Sequence, residues 1–303
     1  MKTKWKLSRF QRRQNLMGYA FMLPWIIGFI LFTGWPFVYT IYLSFNHVMW
    51  TVEGWQIDWV GFDNYHLSFF RNVVFVPALI SFTGMQLAYT PAITVIAFIL
   101  ALLLNQGIKF RGWFRALFFL PVIVMSGPVM YQLRLSGGLT GTNIRGMALY
   151  NMIAQFSRPV ADAMVYLFDS YSLVLWFTGI PIILFLSGLQ KIDSGILEAA
   201  RIDSATAWQI LWKITIPIIR PIVLVSVILT IVQLAGYAEN PVLPMIQDAM
   251  NYTASGLGLA STFAWIYSAL VLALIGIAFI FLKDPKDEVP PEQKRRARAW
   301  NER

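Results

Sequence analysis

The 303-residue chain contains no cysteine. That excludes disulfides, thiolate metal sites and cysteine nucleophiles. Histidine is scarce as well. His47 and His66 are the only two, and both fall outside the long apolar runs, which argues against a histidine-based metal site. Charge is also in short supply: 13% of residues are Asp, Glu, Lys or Arg, against about 25% in an ordinary soluble domain. A soluble protein with 57% apolar residues would lack the polar surface needed to cover its core. No glycine-rich loop ends in Lys followed by Ser or Thr, so the sequence offers no phosphate-binding loop for ATP. No catalytic constellation is visible either. The apolar runs hold no interior carboxylate or lysine of the kind a proton relay uses.

What is present is a series of long apolar runs between short polar segments. A hydrocarbon core of about 30 Å needs about 20 helical residues. Six runs are read as spans: residues 18–44, 73–104, 114–133, 172–189, 216–235 and 257–282. Residues 1–17 form a basic tail holding Lys2, Lys4, Lys6, Arg9, Arg12 and Arg13. The apolar run behind it is too long for a signal-peptide core and has no small-residue cleavage site, so the tail is read as retained. Residues 283–303 form a second basic tail. Gly34-Trp35-Pro36 is expected to bend the first span. The second carries Gln86, Tyr89, Thr90 and Pro91 in its middle, the third Pro121 and Pro128, the fourth Gly179 and Pro181. Prolines are tolerated in spans when neighbouring helices re-satisfy the freed backbone groups. Residues 45–72 read as an aromatic-rich outer loop. Residues 134–171 read as a second outer segment, in which 147–168 has a helix-like alternation that Pro159 would break. Residues 236–255 form a loop without lysine or arginine.

The positive charge orients the chain. Of its 24 lysines and arginines, 20 fall in the two tails, in residues 105–115 and in the charged segment before the fifth span. Arg71, Arg134, Arg145 and Arg158 fall on the other side. Basic residues gather on the cytoplasmic side of membrane proteins. The net charge of +9 therefore reads as topology and attraction to anionic lipid, not as nucleic-acid binding. The predicted fold is an all-α, polytopic membrane protein with six transmembrane helices over residues 18–282 and both termini cytoplasmic.

Residues 198–221, EAARIDSATAWQILWKITIPIIRP, break the apolar pattern with Glu198, Arg201, Asp203, Lys213 and Arg220. Charges at a bilayer centre cost roughly 2.5–3.5 kcal/mol each on insertion scales, so this island lies outside the core. Asp193 or Ser194 is placed to cap a helix at 195–202, and Asp203 or Ser204 a second at 205–212. Together they give a cytoplasmic helix-turn-helix between spans four and five. Arg220 sits one turn inside span five and can snorkel. Ala199, Ala200 and Ala205 would let a groove wall approach closely, and Glu198 complements the helix dipole. Docking into a cleft of a soluble partner is one reading of these residues. A solvated loop helix is the other.

This stretch resembles the EAA motif of permease subunits of bacterial binding-protein-dependent ABC importers. Asp203, Trp208-Gln209, Ile214-Thr215, Pro217 and Pro221 resemble the carbohydrate-uptake (oligosaccharide) subfamily. So do GYAFMLPWIIGFILFTGWPFVYTIYLSF at 18–45 and FRALFFLP at 114–121. The resemblance covers nearly the whole chain. It implies that Glu198, Ala199, Ala200 and Asp203, flanked by Arg201 and Ala205 within a coupling segment 194–221, sit in a groove of an ATPase subunit. It also implies a second permease in a heterodimer and an extracytoplasmic solute-binding protein. ATP and Mg would be held by the ATPase partner, with no cofactor in this chain. The chain would then be a non-catalytic subunit in the bacterial inner membrane, importing an oligosaccharide or related neutral solute by alternating access. Two departures stand out. Ser204 occupies a position usually held by glycine, so the turn is expected to lose its left-handed residue and use the serine as a cap. Residues 134–171 also depart from the usual family pattern.

Sugars need hydrogen-bonding groups and aromatic faces without fixed charge. Gln86, Tyr89, Thr90, Trp176, Thr178, Thr230, Gln233 and Tyr237 meet that description along the spans. Hydrogen bonding between helices is the plainer reading of each. Two rival functions use the same chain differently. A permease for glycerol phosphodiesters or peptides would carry more basic residues towards the pore if its cargo were anionic. An ion-coupled secondary transporter would show intramembrane ionisable residues or inverted repeats, and the sequence has neither.

Overall fold

The computed structural model describes residues 9–51, 54–106, 112, 148–237, 240–251 and 256–283. Span three, at 114–133, and the second basic tail beyond Lys283 lie outside the described residues, as does the turn-rich stretch 137–143. Among the described residues four helical stretches are long and apolar enough to cross a membrane: Met17–Ser44, Phe75–Asn105, Ala207–Ala235 and Gly256–Leu282. A fifth is counted if Leu173–Leu189 and Ser194–Ile202, which meet at a 68° bend, form one span.

The chain divides into two compact units, residues 1–81 with 241–269, and 82–240 with 270–303. In the first, helix α1 (Arg9–Phe29) passes through a π-helical turn, Ile30–Gly34, into α2 (Trp35–Ser44). The expected bend at Gly34-Trp35-Pro36 appears as this wider turn. The Trp35 amide reaches back to the Ile30 carbonyl, and the added residue makes room for the proline ring, which has no N–H to give. None of the apolar window of Met17–Ser44 is buried within the chain. Its surface of Phe21, Trp25, Phe32 and Trp35 suits lipid or a neighbouring helix rather than water.

Residues 45–72, read as an outer loop, hold a two-stranded hairpin within the mostly helical fold. Strands β1 (Asn46–Thr51) and β2 (Gly54–Trp59) pair antiparallel, with Val48 opposite Ile57 and Asn46 opposite Trp59. β-branched and aromatic residues favour strands, and Gly54 at φ 113° adopts a backbone that other residues resist. A short helix α3 (Asp63–His66) and a π-turn Leu67–Arg71 follow. Asn72 Oδ1 then accepts from the Val74 and Phe75 amides at 3.0 and 2.9 Å, capping α4 (Phe75–Asn105).

A buried polar knot closes this unit. Asn64 donates to the Ser44 and Asn46 carbonyls at 3.0 and 2.9 Å. The Ser44 carbonyl also accepts from Thr262 Oγ1 at 3.0 Å. Gly256 and Gly258 open the last helix against the first strand, where a Cβ on either would collide with the Val48 or Asn46 carbonyl. Those two glycines are there for close approach, and Gly256, at φ 51°, for its backbone as well.

The second unit holds the rest of α4, then α5 (Ala148–Phe156) and α6 (Arg158–Leu189), then α7 (Ser194–Ile202) and α8 (Ala207–Ile210). α9 (Ile216–Ala235) continues α8 through a π-turn at Leu211–Thr215. Helices α10 (Val242–Asn251) and α11 (Gly256–Leu282) complete the chain, and the end of α11 belongs to this unit. Pro159 does interrupt the helical stretch, as expected, with Ser157 extended before it. It then occupies the first turn of α6, where a missing N–H costs nothing. Helix α6 runs unbroken past residue 172, so the apolar run marks only the later part of a 32-residue helix.

Ile93, Ala97, Ala101 and Leu104 recur on α4 at helical spacing and face α6 and α9. Ala97, Ala101 and Leu104 pack with Ile182, Phe185, Leu186, Leu189 and Ile219. Ile93 packs with Val174, Phe177 and Leu234. Gly188 brings α6 so near α9 that a Cβ would strike the Ile222 side chain, the close approach that small residues permit between membrane helices.

Candidate functional site: a charged, capped turn and the helices behind it

The charged island folds as two helices around a tight turn. Asp193 caps α7 by accepting from the Gly195 amide at 2.9 Å. At the other end the Ser204 amide reaches the Arg201 carbonyl and the Ala205 amide the Ala200 carbonyl, both at 3.0 Å. This crossed pair is a Schellman ending. It needs a left-handed residue at its corner, and Ser204 supplies it at φ 58°. The expectation that Ser204 or Asp203 caps the second helix is therefore corrected. Thr206 does so, accepting from the Gln209 amide at 3.3 Å while its own amide donates to Gln209 Oε1 at 2.8 Å. Thr and Gln three positions apart form a capping box, a signal that was present in TAWQ and overlooked. The second helix starts at Ala207, not Ala205, and does not end at Trp212.

Glu198, Ala199, Arg201, Asp203 and Ser204 are exposed on this turn, and Ala205 is half-buried. Ala200 is buried within the chain itself, so its methyl faces inward rather than outward. Sequence reasoning missed two large apolar side chains on the same short helix, Ile196 and Ile202, the latter 83% exposed. Their signal was the spacing Ile196, Ala199, Ile202, which puts all three on one face. Trp208 and Trp212 are exposed beside them, edge to face with ring centroids 5.4 Å apart.

The eight residues singled out along the spans divide into two groups. Gln86 is buried and fully engaged: its Nε2 donates to the Ile231 carbonyl at 3.0 Å, and its Oε1 accepts from Thr90 at 2.8 Å. Thr178 and Thr230 are buried and turned onto their own helices, donating to the carbonyls of Leu175 and Ser226 at 2.7 and 2.8 Å. These four hold helices together or close on themselves. Tyr89, Trp176 and Tyr237 converge on the Ile93–Val174–Phe177–Leu234 cluster, with Tyr237 edge-on to Phe177 at 5.3 Å. Trp176 Nε1 and Gln233 Oε1 are buried without a hydrogen-bond partner among the described residues, and so is the hydroxyl of Ser226, which the sequence reading did not select. Buried polar atoms are seldom left unpaired without a reason.

Arg220 is not a freely snorkelling side chain. Its Nε donates to the Leu282 carbonyl at 3.1 Å and its terminal nitrogen to the Phe281 carbonyl at 3.2 Å. It thereby caps the last turn of α11 from the second turn of α9.

Comparison with known proteins places this architecture. Residues 165–284, which contain the α7 turn, α9 and all but the first seven residues of α6, match the family described as binding-protein-dependent transport system inner membrane component. The chain is similar to the permeases of binding-protein-dependent ABC importers. This permease is 29% identical over 300 residues to the probable ABC transporter permease protein YesP of Bacillus subtilis, covering 91% of the chain and 92% of that protein. It is 29% identical over 246 residues to the multiple sugar-binding transport system permease protein MsmF of Streptococcus mutans, covering 80% and 82%. It is also 28% identical over 236 residues to the arabinooligosaccharides transport system permease protein AraP of Halalkalibacterium halodurans, covering 76% and 71%. In fold the permease is similar to a chain of a bacterial ABC transporter that imports the acidic polysaccharide alginate. The TM-score is 0.65 at 18% identity, over 90% of the permease and 97% of that chain. Its apolar helices and these similarities make it a multi-pass protein of the cell membrane. Among the described residues no group of three or more His, Asp or Glu is placed to hold a metal ion.

Proposed function

We propose that this permease carries an oligosaccharide or related neutral solute across the membrane in a complex with a second permease, two ATPase subunits and an extracytoplasmic binding protein. The chain crosses six times, with 114–133 as its third span and both termini inside. ATP and Mg are bound by the ATPase partner, and no cofactor resides in this chain. The α7 turn rests in a groove of the ATPase, with Glu198, Ala199, Arg201, Asp203 and Ser204 on the contact side. ATP closes the ATPase pair, the coupling turns of the two permeases are drawn together, and the spans open outward to receive solute from the binding protein.

The observation that carries this reading is the α7 turn itself. It is a rigid, doubly capped helix that leaves charge and a stripe of Ile196, Ala199 and Ile202 uncovered. The cargo class is supported by relatives whose names specify multiple sugars and arabinooligosaccharides. The uncharged polar atoms of Trp176, Ser226 and Gln233 also suit hydroxyl groups rather than an ion.

Purification of the tagged chain in detergent tests the assembly. An ATPase and a second permease are expected to co-purify, and Glu198→Arg is expected to lose the ATPase or its stimulation by the binding protein. A chain that purifies alone, with the variant indistinguishable from it, would sink the proposal. Calorimetry of the binding protein against oligosaccharides checks the cargo class.

A further inference from the structure

Helix α9 enters the membrane poorly bonded to itself. The Leu211 carbonyl is taken by the Ile216 amide in a π-turn. Pro217 and Pro221 have no N–H, so the carbonyls of Lys213 and Pro217 lose their usual donors four residues on. The stretch between the coupling turn and the buried part of α9 is therefore a poor rod for transmitting a push. Helix α11 has the opposite need, because its last turn ends in carbonyls with no intrahelical donors. Arg220 meets both conditions. It is half-buried, and its guanidinium donates to two successive carbonyls, those of Phe281 and Leu282. A planar fork spans two acceptors in a way that an ammonium does not. Its positive charge also lies at the negative end of the helix dipole.

We infer that Arg220 is a positioning residue for transport, clamping the inner end of α11 to α9 so that the last helix follows α9 when the coupling turn is displaced. This rests on the proposed coupling to an ATPase, but the clamp is a property of this chain alone. An arginine whose role was only topological would need no fixed partners and would be replaced freely by lysine. The clamp predicts otherwise.

The absence of cysteine allows the test to be made with spin labels at Val225→Cys and Ile280→Cys, both exposed positions, in the assembled transporter. With Arg220 intact, the distance between labels should stay the same with and without ATP. In Arg220→Met it should broaden, and uptake per ATP hydrolysed should fall about tenfold or more, the scale of one lost charge-assisted hydrogen bond. Arg220→Lys should recover part of the loss. Unchanged uptake per ATP in Arg220→Met would overturn the clamp. So would a label distance that shifts with ATP while Arg220 is present, and that measurement decides the matter even where Arg220→Met fails to assemble. Failure of the unmodified chain to co-purify with any ATPase would overturn the coupling role itself. The label distance in the isolated chain, with and without Arg220, would then show whether the contact exists.

Discussion

Gln86 and Trp176 show why a polar residue in a span has to be judged by its partners. In sequence they look alike: uncharged, amphipathic and within a span. In the structure Gln86 spends its donor on Ile231 and its acceptor on Thr90, whereas the indole N–H of Trp176 has no partner among the described residues. Which of the two a side chain does depends on its rotation about the helix and on the register of a neighbour 145 residues away. Neither is written in local spacing. The two residues should fail differently. Gln86→Leu is expected to lower the thermal stability of the purified complex by about 0.6 kcal/mol, typical for one hydrogen bond between membrane helices, with the KM for solute unchanged. Trp176→Phe removes the unpaired N–H together with part of the ring packed on the Phe177 cluster, so some stability should be lost to the smaller ring, but KM should rise, which Gln86→Leu should not cause. A Gln86 variant with altered KM and normal stability would reverse these assignments.

At the scale of elements, the sequence revealed most where length and hydropathy decide. The sixth span was read as 257–282 and the helix is Gly256–Leu282, whereas the fifth was read as 216–235 and the apolar helix there runs Ala207–Ala235. It revealed least where backbone geometry decides. The hairpin at 46–59 was read as loop because two six-residue strands rich in tryptophan give too short an alternation to stand out from any aromatic segment. The coupling turn was misread because serine's preference for capping was weighed without the Schellman bonds that surround it. Two crossed hydrogen bonds from Ser204 and Ala205 outweigh the roughly 1–2 kcal/mol cost of a left-handed non-glycine residue. Ser204→Gly should therefore raise the melting temperature slightly, because glycine takes that conformation without strain. Ser204→Val should lower it, since a β-branched side chain resists that region. Equal melting temperatures for the two variants in a thermal unfolding assay would mean that the turn does not hold its left-handed corner.

For the whole molecule, the strongest inference available from sequence was orientation. It came from charge: 20 of the 24 basic residues fall on one side of a six-span reading, and such asymmetry sets the direction of insertion. The α7 turn and the hairpin offer separate markers for testing that orientation. Glu198 and Asp203 belong to an uncovered, capped helix of the kind expected beside an ATPase. Trp55 and Trp59 are exposed on the hairpin, and tryptophan is a residue that gathers where membrane meets water. A chain without cysteine lets each be probed singly. In intact spheroplasts, Asp58→Cys should react with a membrane-impermeant maleimide added outside, while Asp203→Cys should stay unlabelled until the membrane is opened. Even numbers of crossings separate the tails from neither each other nor the coupling turn, so Lys2→Cys and Arg303→Cys should follow Asp203→Cys. If Lys2→Cys is protected but Asp203→Cys and Arg303→Cys both label from outside, an odd number of crossings lies between the first tail and the turn, and the proposed third span at 114–133 does not cross. If the whole pattern inverts, the charge rule has been overridden, and an ATPase could not reach this turn from the cytoplasm.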